Sequence, residues 1–99
     1  MRPLTTDFSL DDYRPYFLFD EDLSVAELRE RLAHGSTAER LRLVTKLLRE
    51  AHEDDVWEFL TLAEFLDIFP EIASLLGRKR DHWEQVYENN RKIKLRSTS

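Results

Sequence analysis

Residues 76–85 read LGRKRDHWEQ, and Arg78-Lys79-Arg80 is the longest unbroken run of cations in the chain. The chemistry such a run serves is phosphate neutralisation, since Lys and Arg displace the counterions condensed on a nucleic acid. That reading requires cations converging on one face. On the helix that should follow, Asp81, Glu84 and Glu88 fall on the exposed side between the flanking bases. Carboxylates there repel phosphate, so nucleic-acid contact through Arg78, Lys79, Arg80 and the later RKIKLR stretch is the alternative reading. The other is a solvated joint between two helices.

A second basic set, Arg42, Lys46 and Arg49, shares one side of a helix, opposite its apolar arc. Glu39 and Glu50 border it. It is either a solvated face laced with ion pairs or a docking face for another protein. Tyr16, Phe17 and Phe19, with Tyr13, crowd the N-terminal segment. Aromatic side chains there either pack on helices or stand out as interface anchors.

Other chemistries find no support in the residues. Asp20, Asp22 and Ser24 echo the start of a calcium loop. Its sixth and twelfth positions are Val25 and Arg31, where the turn needs glycine and the ion a bidentate glutamate. His34, His52 and His82 have no ligand spacing. There is no cysteine and no GxSxG, and two glycines do not make a phosphate-cradling loop. No catalytic, metal-binding or cofactor-binding residue is therefore assigned, and the expectation is a protein that is not an enzyme.

The elements that must carry these residues are announced by three capping boxes: Ser24-Val25-Ala26-Glu27, Ser36-Thr37-Ala38-Glu39 and Thr61-Leu62-Ala63-Glu64. The first helix is predicted from Val25 to His34, burying Val25, Leu28 and Leu32, with Gly35 as a left-handed cap. The second runs from about Thr37 to Ala51, with Leu41, Val44, Leu47, Leu48 and Ala51 in one arc and Leu43 at its edge. Asp54 or Asp55 then caps a short turn holding Val56, Trp57, Phe59 and Leu60. Leu62, Phe65, Leu66 and Phe69 open a further helix that Pro70 ends. Pro70 also starts the next helix, which buries Ile72, Leu75 and Leu76. Gly77 stops it, and a last helix reaches about Leu95 with Trp83, Val86, Tyr87 and Ile93 on one side. Arg14, before Pro15, is driven from helical geometry, so Pro15–Phe19 reads as an extended strap over the core. The fold class is all-α: one domain over residues 1–99, about five helices and an aromatic strap, with 1–14 and 96–99 the least ordered parts.

Ninety-nine residues, 41% of them hydrophobic, suit one core. No apolar run has signal-peptide or membrane-spanning length, and the expectation is a soluble cytoplasmic protein with no membrane partner. Net charge is −5, which disfavours general polyanion binding. Residues 1–76 carry 8 Lys/Arg against 17 Asp/Glu, whereas 77–99 carry 7 against 3. A basic end on an acidic body suits a tail contact, including one between two copies of the chain.

PYFLFDEDL, VWEFLT, the Phe69-Pro70 pair and LGRKRDHWE, in that order, resemble a group of short uncharacterised bacterial helical proteins. These are often encoded beside a nucleotidyltransferase of the abortive-infection toxin type. The resemblance spans roughly residues 15–85, with Phe19 where tryptophan is expected. It implies an antitoxin-like or accessory partner of that enzyme and carries no active-site residues.

Three functions follow as expectations. The first is a protein-interaction module, using Tyr16, Phe17 and Phe19 or the Arg42/Lys46/Arg49 face, whose binding is lost on removing residues 1–19 while the core stays folded. The second is a nucleic-acid-binding regulator acting through the basic C-terminal region. The third is a structural homodimer.

Overall fold

The computed structural model describes residues 2–97, and the side chains of residues 2–91. Five α-helices follow a short N-terminal segment: α1 (Val25–His34), α2 (Thr37–Glu50), α3 (Glu53–Val56), α4 (Leu62–Ile72) and α5 (Arg80–Ser97). The only strands among the described residues are β1 (Leu4–Thr5) and β2 (Arg14–Pro15), paired in parallel. The all-α expectation holds.

Helix starts are set by the capping residues. Ser24 and Thr61 make complete boxes with Glu27 and Glu64. Ser36 makes half of one: its hydroxyl accepts from the Glu39 amide, but the Glu39 carboxylate is held by Arg31 at 2.9 Å. The short turn is helical and starts at His52, with no side-chain cap, rather than at Asp54 or Asp55.

Two predicted breaks take another form. Gly35 is not left-handed, with φ −72°. Glycine is needed there because a Cβ would lie 2.5 Å from the Arg31 carbonyl oxygen, which accepts the Gly35 amide. Pro70 does not end α4, which continues through it to Ile72. The residue before proline disfavours helical geometry, but Phe69 is buried between Phe65 and Tyr87, with ring centroids 5.3 and 5.0 Å away. Packing fixes that residue in the helix. Gly77 is the glycine with positive φ, 54°.

The N-terminal segment is folded into the helical body. Amides of Val25 and Ala26, in the first turn of α1, donate to the carbonyls of Tyr13 and Asp11 at 2.8 and 3.1 Å. These are donors that a helix start otherwise leaves unpaired. Arg14, only 7% exposed, holds the segment together from inside. Its Nε donates to the Arg2 carbonyl at 2.6 Å, and its guanidinium reaches the carbonyls of Phe19 and Glu21 at 3.2 and 3.3 Å. These bonds lay residues 2–14 against the helices. The burial of Ile93 and the side chains of 96–99 fall outside the described side-chain range 2–91.

One core unites all these elements. Phe17 and Leu18 join Leu28, Val44, Leu48, Phe65, Ile72 and Trp83 in it. Trp83, 1% exposed, donates its indole N–H to the Leu48 carbonyl at 2.9 Å, tying α5 to the last turn of α2. Leu43, placed at the edge of its arc by periodicity, is fully buried.

Candidate functional groove

The strap does not present its aromatics together. Pro15 leads into a 3-10 helix, Tyr16–Leu18, so successive side chains leave in different directions. Phe17 is 2% exposed and packs edge-on against Phe59, which corrects its assignment as an anchor. Tyr16 is half-buried; its hydroxyl donates to the Asp55 carboxylate at 2.6 Å and accepts from the His52 amide at 2.8 Å. Burial, more than the Asp55 bond, pushes this phenol up to about 12. Of Tyr16, Phe17 and Phe19, Phe19 is the exposed one, at 57%; Tyr13, before the strap, is 40% exposed.

Phe19 stands beside the predicted basic face. Its ring centroid is 5.5 Å from Lys46 Nζ. The next two residues continue onto α2: Asp20 pairs with Lys46, and Glu21 accepts from Arg42 at 2.8 Å and lies 3.6 Å from Lys46. The hydrogen bond from Lys46 holds the Asp20 carboxyl below the ordinary carboxylate range. Two of the three cations on this face are therefore matched from within.

Beyond them lies an open groove of about 780 Å³ between α2 and the end of α4. Arg42, Lys46 and Arg49 form one wall, with Leu41, Ile72 and Leu75 along the apolar part. Leu75, expected in the core, is 56% exposed. The reason is a break at Ile72, whose φ of −117° and ψ of −1° end the α-helical phase. Ala73–Leu75 then winds as a 3-10 turn, sending Leu76 inward and Leu75 out.

Arg78 and Lys79 are brought to the same side of the molecule. They sit in a 3-10 turn, Gly77–Lys79, and share with Arg49, Glu50 and Leu76 a second depression of about 370 Å³. Arg49, Arg78 and Lys79 have no ion pair among the described residues. Arg80 points elsewhere, donating to Glu84 at 2.8 Å one turn along α5. Thus the two basic motifs, 30 residues apart, are one surface with Arg49 as the link, and Arg80 is not part of it.

His82 is exposed, 3.0 Å from Glu53, with its ring edge-on to Trp83. No group of three or more His, Cys, Asp or Glu among the described residues is arranged to hold a metal ion. No helix among them is long and apolar enough to cross a membrane. No family model, curated protein or solved structure matches the chain.

Sequence reasoning missed Leu75 and the pairing of Asp20 and Glu21 with α2. For Leu75 no local signal exists, because Leu75 and Leu76 are equivalent until the backbone breaks at Ile72. For the acids a signal did exist. Two adjacent carboxylates and two cations one helical turn apart are complementary, although 21 to 26 residues separate them.

Proposed function

We propose that the chain is a non-enzymatic protein-interaction module of the cytoplasm, an antitoxin-like or accessory partner of a nucleotidyltransferase. The observation that carries this reading is the groove: an exposed leucine and an apolar trough rimmed by Arg42, Lys46 and Arg49. Apolar surface of this kind, with a polar rim, suits a protein interface. The resemblance over residues 15–85 makes a nucleotidyltransferase the partner to test first. Docking uses Phe19, Arg42, Lys46 and Arg49 together with Leu75; Phe17 supports it only by holding the strap.

The test is capture of a nucleotidyltransferase by the tagged chain, with and without nuclease treatment, beside the Leu75→Asp variant. Retention after nuclease and loss with the variant is the expected result. Retention by both proteins would place the interface elsewhere, and loss with nuclease would remove the protein-partner reading.

One observation favours a second reading. Arg49, Arg78 and Lys79 cluster beside a single carboxylate, Glu50, and make no ion pair among the described residues, leaving cations for a nucleic-acid contact. A regulator binding nucleic acid through them would lose affinity steeply with salt, whereas flat salt dependence would dismiss it.

A further inference from the structure

The basic face of α2 already carries a ligand from its own chain, and that ligand has a pattern. An aromatic ring lies over Lys46, and two carboxylates follow it onto Lys46 and Arg42. The pattern then stops. Arg49 is the next cation along the helix, and Arg78 and Lys79 lie beside it across the smaller depression, all without ion pairs among the described residues. The half-buried Leu41 and the exposed Leu75 run alongside, with the core residue Ile72 beneath them.

Counting the residues that line the two depressions, five are cations and three are anions. Asp20 and Glu21 already match Lys46 and Arg42, which leaves Arg49, Arg78 and Lys79 against the exposed Glu50 and Glu71. On a chain of net charge −5, this is a local reversal of sign beside an apolar trough. Complementary charge selects partners and speeds their encounter, while the apolar floor supplies the burial.

Resting on the reading of the groove as a protein-docking surface, we infer that its occupant is an acidic amphipathic helix of the partner. Apolar side chains of that helix at i, i+3, i+4 and i+7 cover Leu75 and the open side of Leu41. Carboxylates along its edge reach Arg49, Arg78 and Lys79, extending the pattern that Asp20 and Glu21 begin. A helix suits the place because both walls are helical and no strand edge borders it. A nucleic acid suits it less well: its sugar-phosphate backbone offers nothing apolar to cover Leu75.

The experiment is fluorescence anisotropy with the full chain and a labelled peptide of about 18 residues, long enough to sustain a helix. The peptide carries leucine on one face and glutamate on its flanks. A matched peptide with lysine flanks and an oligouridine of comparable length are the other probes. The acidic peptide is expected to bind saturably, and the lysine peptide at least about tenfold more weakly. Arg49→Glu/Arg78→Glu should weaken the acidic peptide by about tenfold or more, and so should Leu75→Asp. All three residues are exposed, so an unchanged melting temperature certifies the fold of each variant.

Equal binding of the two peptides, or an affinity within about twofold after the double reversal, overturns the inference. Tight oligouridine binding that vanishes with the same reversal also overturns it and assigns the surface to nucleic acid. If the nucleotidyltransferase is captured after nuclease yet the acidic peptide does not bind, this inference fails and the module stands. If the peptide binds and that enzyme is not captured, the choice of enzyme fails and the groove stands.

Discussion

Two side chains hold the end of α2, and they do it with opposite halves of a hydrogen bond. Trp83 gives its indole N–H to the Leu48 carbonyl, while the Tyr16 hydroxyl accepts the His52 amide. Both backbone groups lack a helical partner at that position, and leaving one buried and unmet costs about 1–3 kcal/mol. Trp83→Phe, which keeps most of the ring contacts, is therefore expected to lower unfolding stability by about 1–3 kcal/mol in urea titrations. No change would mean that the Leu48 carbonyl finds another donor. Tyr16 adds a pH dependence. Its folded value of about 12 lies above that of an unfolded tyrosine, about 10. Its contribution is complete below pH 10 and is lost as pH rises through 12. Stability of the native chain should thus fall more steeply over that interval than stability of Tyr16→Phe, compared by denaturant midpoint at each pH. Neither role was legible in the sequence. The types of Trp83 and Tyr16 announced a buried ring and a polar tip, but the acceptor and donor they meet lie 35 and 36 residues away.

Among the elements, capping chemistry was the most legible feature, because each box is local and closes within four residues. The structure ranks the boxes. Ser24 is buried and its box is reciprocal, while Ser36 is exposed and its glutamate is diverted to Arg31. Ser24→Ala should cost about 1–2 kcal/mol, and Ser36→Ala about 0.5–1 kcal/mol, in parallel thermal or urea unfolding. A reversed order would show that the Glu27 and Glu39 contacts do not govern cap strength. Glu27 also has its carboxyl held down to about 2, first by Arg2 and then by Ser24. Less legible were the ends of α4 and its continuation. Proline and glycine signal a change of backbone, but where the change falls was decided by the burial of Phe69 and Ile72. That decision is also what exposes Leu75 and creates the groove.

For the whole molecule, the all-α class and most core positions followed from periodicity, whereas the joining of surfaces did not. The N-terminal segment illustrates the difference. Read alone, its polar residues suggest a removable strap; in the fold, Arg14 gathers its carbonyls and Phe17 and Leu18 lie in the core. Removing residues 1–19 would thus unfold the protein rather than silence one interface. The basic motifs show the converse, two separate stretches becoming one surface through Arg49. The central claim is that this surface and the adjacent groove form the partner-docking face. The most direct test is a titration of the isotope-labelled chain with the acidic amphipathic peptide, followed by backbone amide NMR shifts. The account predicts shifts concentrated at residues 38–49 and 71–79, with Asp20 and Glu21 moving in step. Shifts spread evenly over the chain, or confined to α1 and α3, would contradict it.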